Sequence, residues 1–245
     1  MIIGIAGALE KEVGPIRRAM TVTARRRLNG FMLWEGGYRG RELVLARTGM
    51  GKHNAESASG YLLDNYDLDL LISTGFGGGL KPEIAVGCTG FCRTLYSLAD
   101  HGGLTRPLHA PGRLLSRLPP RWKTFTGITA ASAVTSPGEK HRLGSYGAEV
   151  VDMESYWCGL LAERAGVPFI SVRSISDRVD EVMPPLEKLM DRRCRINMAK
   201  TVGRVATHPA DIPCFYRMYR GSVAARRGLF EAIDYFISAL RESDL

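Results

Sequence analysis

The chain predicts an α/β fold: a single-domain, three-layer αβα arrangement with helices on both faces of a mixed, twisted central sheet. Three observations carry this expectation. Apolar strand-like runs alternate with helix-like stretches, with no internal repeat and no linker. Two of the runs, Glu149–Asp152 and Val167–Asp177, stop on charged side chains. At 245 residues the chain has the length of one large α/β domain, taken here to span residues 1–245.

In chain order, Ile2–Leu9 reads as a buried strand and Glu10–Met20 as the helix after it, with Glu10 and Glu12 in its first turn. Phe31–Glu35 and Glu42–Thr48 read as a hairpin around Gly36-Gly37-Tyr38-Arg39-Gly40. Gly49-Met50-Gly51-Lys52 turns into a helix over Asn54–Asn65, whose N-terminus can face an anion. Leu68–Thr74 is a buried strand running into Gly75-Phe76-Gly77-Gly78-Gly79, where backbone can approach a partner closely. Pro82 follows too soon for a helix, which removes the dinucleotide-binding reading of these glycines. Gly87–Tyr96 reads as a strand, Ser97–Pro120 as a surface excursion and Thr124–Ala131 as a short strand. Ser136-Pro137-Gly138-Glu139 has the form of a helix start before Lys140–Tyr146. A helix over Tyr156–Arg164 lies between the two acid-ended strands, the chain loosens through Pro184-Pro185, and Ala224–Leu240 closes it as an amphipathic helix.

Composition excludes more than it identifies. The apolar and charged shares, 45% and 24%, are those of an ordinary globular protein, so no disordered class is needed. The net charge of +8 comes from small scattered groups, chiefly Arg25-Arg26-Arg27, Arg192-Arg193-Arg195 and Arg226-Arg227, and reads as a solvated face or as a patch for an anionic partner. No nucleic-acid-binding motif accompanies it. Cys88, Cys92, Cys158, Cys194 and Cys214 are odd in number and show no paired spacing, which points to reduced thiols and a cytoplasmic protein. The histidines have no neighbouring ligand set, so no metal is expected. Met1–Leu9 lacks a basic lead and meets charges at once, unlike a signal peptide, and no run is long enough to span a membrane.

The acid-ended strands deliver Asp152, Glu154, Arg173 and Asp177 toward one sheet edge, where open α/β sheets bind ligands. Glu154 and Ser155 have a second reading, as caps of the following helix. Five segments bear on this edge together: Gly4-Ile-Ala-Gly7-Ala-Leu-Glu10-Lys-Glu12, Thr48-Gly-Met-Gly51-Lys52, Ser73-Thr-Gly75-Phe-Gly-Gly-Gly79-Leu80, Val151-Asp-Met-Glu154 and Val172-Arg-Ser-Ile-Ser-Asp177. In order and spacing they resemble the purine nucleosidase/phosphorylase superfamily, over roughly residues 1–180. The chain looks most like the hydrolytic methylthioadenosine/S-adenosylhomocysteine and futalosine nucleosidases. Val151-Asp-Met-Glu-Ser155, the lead-in to Lys140 and the long C-terminal tail are similar to the hopanoid-biosynthesis-associated members, which act on adenosylhopane.

This resemblance implies cleavage of a purine N-glycosidic bond through an oxocarbenium-like sugar, which asks for an acid at the departing base and a carboxylate at the nucleophile. Asp177 matches the acid that protonates N7, and so must hold a proton that a free carboxylate, with pKa ~3.9, loses at neutral pH. Glu12 matches the general base and Arg173 the arginine beside it. Glu154 matches the carboxylate on the ribose hydroxyls and Met153 the thioether on the sugar. Phe76, Gly75 and Ser176 complete the substrate-binding set. No cofactor is implied, beyond inorganic phosphate for a phosphorylase, and the expected assembly is a homodimer.

Departures matter too. Methylthioadenosine nucleosidases read Thr-Gly-Ser-Ala-Gly-Gly where this chain reads Thr74-Gly75-Phe76-Gly77-Gly78-Gly79, placing a ring where a hydroxyl meets the sugar. Ala130-Ala-Ser-Ala-Val-Thr135 lacks the run whose phenylalanine stacks on adenine, so base selectivity is open. Ser73 stands where phosphorylases carry an arginine, which favours water over phosphate, while Arg47 keeps phosphate open. A non-catalytic nucleoside-binding protein would lack the acid or the base; Glu12, Glu154 and Asp177 are all present. The hopanoid likeness adds a large apolar 5′ substituent in a channel of Phe76, Met183, Leu186 and Leu189, with Arg217, Arg220, Arg226 and Arg227 held to an anionic membrane.

Overall fold

The computed structural model describes residues 1–28, 30–99, 103–116, 118–184, 189 and 197–244. In chain order the elements are β1 (Ile2–Gly7), α1 (Glu10–Ala19), β2 (Thr21–Arg27), β3 (Met32–Tyr38), β4 (Arg41–Arg47), α2 (Lys52–Asn65), β5 (Leu70–Gly79), β6 (Thr89–Ser97), β7 (Leu108–His109), α3 (Gly112–Leu115), β8 (Lys123–Thr129), α4 (Pro137–Ser145), β9 (Val150–Asp152), α5 (Ser155–Arg164), β10 (Phe169–Asp177), α6 (Met198–Thr207) and α7 (Ile212–Ala239). Strands β4, β1, β5 and β10 lie side by side in parallel, and β3 and then β2 extend the β4 edge antiparallel. The sheet is mixed, as the alternation predicts.

Both faces are covered, and the period-2 alternation of the strands shows how. Ile3, Ile5, Leu43, Leu45, Leu70 and Ile72 point to one face, under Val13 and Ile16 of α1 and Leu229, Ile233 and Phe236 of α7. Leu33, Val44, Ala46 and Leu71 point to the other, under Ala58 and Leu62 of α2 and Ala162 of α5. Beyond this layering, half of the sheet closes on itself. β10 pairs with both β5 and β6, β6 with β8, β8 with β9, and β9 returns to β5 at Gly78 and Gly79.

Several boundaries differ from the sequence reading, each for a physical reason. The glycine run does not end β5; Gly75–Gly79 continue it, because this stretch lies on ladders to β10 and β9. A Cβ on Gly77 would sit 2.5 Å from Val150. The hairpin turn is shorter than expected: Gly36 and Gly37 belong to β3, and the reversal is made by Arg39 and Gly40, both at positive φ (51° and 73°), the pattern of a two-residue turn. β2 went unread because nearly every residue in it is exposed and no alternation marks it. The Ser97–Pro120 excursion carries β7 and α3 and buries Leu108 and Leu114. Helix α7 starts at Ile212 instead of Ala224, since its first turns bury little and leave no core stripe to read. At α4 the expected start is met: the Ser136 side chain accepts from the Glu139 amide at 3.3 Å.

Candidate active site

The first charged cluster lies where β1 ends beside β5, which β10 continues to flank. Glu12 sits in the first turn of α1, and its carboxylate folds back over the sheet edge. One oxygen accepts from the Leu9 amide at 2.7 Å and the other from the Phe76 amide at 2.8 Å. Burial pushes its pKa up, against the pull of those amides and of Arg173. Gly75 makes this approach geometrically allowed: a Cβ there would stand 3.0 Å from Glu12 Oε1 and 3.6 Å from Arg173 Cζ. Glu12, Gly75, the Phe76 backbone and Arg173 are therefore brought together. The Phe76 ring is half-buried and packs against the core under α1 and α7.

Arg173 is only 1% exposed, and its partners are fixed. Nε donates to Asp152 Oδ2 at 2.7 Å, Nη2 stands 2.6 Å from the same oxygen as its ion-pair partner and donates to Ser73 Oγ at 2.7 Å, and Nη1 donates to the Val172 carbonyl at 2.8 Å. Burial alone would lower its pKa; Asp152, Glu154 and Glu12 outweigh that and hold it charged. Asp152 is a receiving centre for further donors: Thr129 Oγ1 on Oδ1 at 2.6 Å, and the Ser155 amide (3.0 Å) and hydroxyl on Oδ2.

That pattern decides between the two readings of Glu154. Glu154 stands at the N-cap position of α5 but makes no capping bond with its side chain. Asp152 supplies that bond through the Ser155 amide. Glu154 instead reaches the turn before α2, where Oε1 accepts from the Gly51 amide at 2.7 Å. The group met at the α2 N-terminus is thus the protein's own carboxyl. Burial first, then the charge of Asp152, pushes its pKa up to about 8. Met153 packs at the same turn, its Cε 3.9 Å from where a Gly51 side chain would begin.

The second cluster lies further along β10. The β10–β5 register slips between Ile175 and Asp177, so Ser176 is an extra residue that re-aims the strand end, a common device beside active sites. Asp177 Oδ1 accepts from Ser176 Oγ at 2.6 Å. Its Oδ2 accepts from Lys140 Nζ, also at 2.6 Å. Ser176 Oγ lies 3.3 Å from the Gly77 carbonyl, and a Cβ on Gly78 would stand 3.0 Å from Asp177 Oδ2. The glycines of β5 thus run from the Glu12–Arg173 cluster to the Asp177–Lys140 cluster.

Sequence reasoning missed the contact of Lys140 with Asp177, that of Ser73 with Arg173 and the role of Asp152 as counter-ion. Lys140 shares its buried helix stripe with Leu143 and Gly144, and a lysine at an apolar position is the signal that could have found it. Of the channel residues, Phe76 and Met183 are half-buried, Leu189 is buried, and Leu186 lies outside the described residues. Arg217, Arg220, Arg226 and Arg227 are exposed on α7, and the group at residues 192, 193 and 195 lies outside the described residues. Cys88, Cys92, Cys158 and Cys214 are free thiols. Among the described residues, no group of His, Cys, Asp or Glu is placed to hold a metal, and no helix is long and apolar enough to cross a membrane.

Known proteins resemble the chain in sequence and fold. Residues 2–111 and 89–208 match the family described as the Phosphorylase superfamily. The 5′-methylthioadenosine/S-adenosylhomocysteine nucleosidase of an Exiguobacterium species is 26% identical over 202 residues, covering 74% of this chain and 87% of that protein. The enzyme of the same name from a Marinomonas species is 25% identical over 207 residues, covering 75% and 88%. Among solved structures, the Neisseria meningitidis 5′-methylthioadenosine/S-adenosylhomocysteine nucleosidase in complex with methylthio-immucillin-A superposes with a TM-score of 0.78 at 18% identity, over 98% of this chain and 99% of that one. The futalosine hydrolase of Helicobacter pylori gives 0.71 at 19% identity, over 96% and 98%. At these identities the structural likeness speaks for the fold.

Proposed function

The chain belongs to the phosphorylase superfamily, and from that premise we propose that it hydrolyses the N-glycosidic bond of an adenosyl-type purine nucleoside, releasing free base and a ribosyl product. The observation that carries this reading is the Glu12 carboxylate: buried, held by two backbone amides, raised in pKa and set beside a neutralised arginine. A carboxylate whose pKa approaches the working pH is a better general base than a free one. In this reading Glu12 takes a proton from the attacking water, Glu154 accepts from the ribose hydroxyls with Met153 against the sugar, and Asp177 is the group through which the departing base receives its proton. Gly75 and Ser176 in this reading shape the backbone beside Glu12 and Asp177.

Water is favoured over phosphate by the state of the cations. The Nε–Nη2 edge of Arg173, the fork that would grip a phosphate, is taken by Asp152, and Arg47 is taken by Glu10 at 2.9 Å. The test is incubation with adenosine, methylthioadenosine, S-adenosylhomocysteine, inosine and futalosine, with and without phosphate. Free base released without phosphate supports hydrolysis; release only with phosphate overturns it.

A finer reading concerns the 5′ side, where the hopanoid likeness puts a large apolar body, as in adenosylhopane. Ile212, Tyr216, Tyr219 and Val223 form an exposed stripe at helical spacing along α7, with Val202 of α6 also exposed. Tyr219 lies under the ammonium of Lys11, the neighbour of Glu12, at 5.3 Å. Arg217, Arg220, Arg226 and Arg227 share this helix, so it has the make-up of a helix lying in an anionic membrane surface. Salt-sensitive binding to anionic vesicles, with faster cleavage of 5′-alkyl adenosines than of adenosine, is the outcome this requires. Equal rates without vesicle binding remove it. The proposed assembly is a cytoplasmic homodimer, tested by light scattering at micromolar concentration.

A further inference from the structure

Lys140 is 0% exposed, yet the proposed reaction gives it no task. Its Nζ donates to Asp177 Oδ2 at 2.6 Å, to the Arg178 carbonyl at 2.7 Å and to the Glu181 carbonyl at 3.0 Å. An ammonium has three protons, so each has an acceptor, and the charge is held deep in the protein by one carboxylate and two carbonyls. That placement creates a chemical conflict. An adjacent cation favours the ionised form of a carboxylate, whereas a group that protonates a departing base must have a proton to give.

Resting on the hydrolytic reading above, we infer that Lys140 is the store of the leaving-group proton and Asp177 the carrier that delivers it. Before the reaction Lys140 is an ammonium and Asp177 a carboxylate. As the glycosidic C–N bond breaks, its electron pair passes into the base; a proton leaves Lys140 Nζ for Asp177 Oδ2 and passes from that carboxyl to a ring nitrogen. Water adds to the sugar carbon and its proton goes to Glu12. Asp177 is a carboxylate again, Lys140 is a neutral amine and Glu12 is a carboxylic acid, so charge balances; exchange with solvent restores the last two. Lys140 touches Asp177 and not the substrate, and is therefore a positioning residue. Ser176 Oγ, donating to Oδ1 at 2.6 Å, fixes the carboxylate against rotation. Among the described residues, Arg178, Asp180 and Glu181 of the following turn are the other charges beside the pair. Arg178 and Asp180 meet each other at 3.2 Å, and the Glu181 carboxylate accepts from the Arg178 amide.

The test uses Lys140→Met on the nucleoside that wild type cleaves, beside 4-nitrophenyl β-ribofuranoside, whose leaving group departs without a proton. The inference requires a loss of about 10²–10⁴-fold in kcat on the nucleoside with little change on the nitrophenyl riboside. It also requires the alkaline limb of kcat to move to lower pH, because Asp177 must then hold its own proton. Equal losses on both substrates at every pH overturn it and leave Lys140 a structural residue. Should the variant fail to fold, Lys140→Arg decides, since a guanidinium keeps the charge but does not give up a proton: a selective loss on the nucleoside supports the inference, and wild-type rates on both substrates overturn it. A wild-type enzyme inert toward every nucleoside defeats the reaction itself, and this inference with it.

Discussion

Replacing Asp152 by asparagine tests whether the site rests on a neutralised arginine. The side chain keeps its size, but one carboxylate oxygen becomes an amide that donates. Four donors converge on Asp152, Nε of Arg173, the Thr129 hydroxyl, and the amide and hydroxyl of Ser155, with Nη2 of Arg173 in ion-pair contact beside them. Whichever way the asparagine turns, its NH₂ faces one of them, and the Arg173 guanidinium, 1% exposed, loses its counter-charge. Leaving one partner of a buried pair uncompensated costs about 3–5 kcal/mol, a large part of the ~5–15 kcal/mol that folds a domain. Removing both charges, as Asp152→Asn with Arg173→Met, leaves no uncompensated ion at this pair and regains stability without regaining activity. Urea denaturation followed by circular dichroism at neutral pH measures the three variants against wild type, with constant slope as the check on two-state behaviour. A loss under about 1 kcal/mol for Asp152→Asn, or a double variant no more stable than that single one, refutes the argument.

Glu12→Gln and Asp177→Asn should each lower turnover by about 10²–10⁴-fold with the fold intact by circular dichroism; wild-type rates in either one remove that residue from the mechanism. Glu154, raised from the ordinary 4.5 to about 8, holds a proton when folded that the unfolded chain gives up. Its contribution to stability is therefore full below about pH 4.5 and is lost as pH rises through about 8, by at most about 1.4 kcal/mol per pH unit. Urea midpoints from pH 5 to 8 should fall less steeply in Glu154→Gln than in wild type, and a steeper fall contradicts the sign. Gly221→Ala puts a Cβ 1.9 Å from the Ser176 carbonyl, so it should destabilise the fold and displace Asp177, while Gly203→Ala, with open space around it, should stabilise its helix by about 0.5–1 kcal/mol. Equal melting shifts in the two would mean that α7 does not hold the strand bulge.

How much of this was legible in the chain depended on whether a residue's task was local. Strands β1, β5 and β10 were readable because they are apolar on both faces, and the acids after them stood out against that background. Glu12, Glu154, Arg173 and Asp177 could be named because they stand as charges at or after apolar strands and match the family's motifs. Their partners could not. Asp152 and Arg173 are brought together only by the β8–β9 and β5–β10 pairings, and Lys140 meets Asp177 across 37 residues of sequence. The glycines of β5 were legible as a place of close approach; that Gly75 admits Glu12 and Gly78 admits Asp177 required coordinates. β2 and the first half of α7 bury so little that no periodicity marks them.

The closed half of the sheet shifts the hazard of an exposed ladder elsewhere. Strands β5, β10, β6, β8 and β9 satisfy one another around a ring, so the unpaired side of the long path falls on β2. An open strand edge is a template on which another chain can add itself and grow a fibre. Here that edge carries Arg25, Arg26 and Arg27 in succession, all exposed. Two copies meeting antiparallel along it, centred on Arg26, would set Arg25 against Arg27 and Arg26 against itself, three like-charged pairs in one short seam. The arginine run that reads in sequence as a solvated face thus lies along the open side of the path, where it opposes the approach of a second copy.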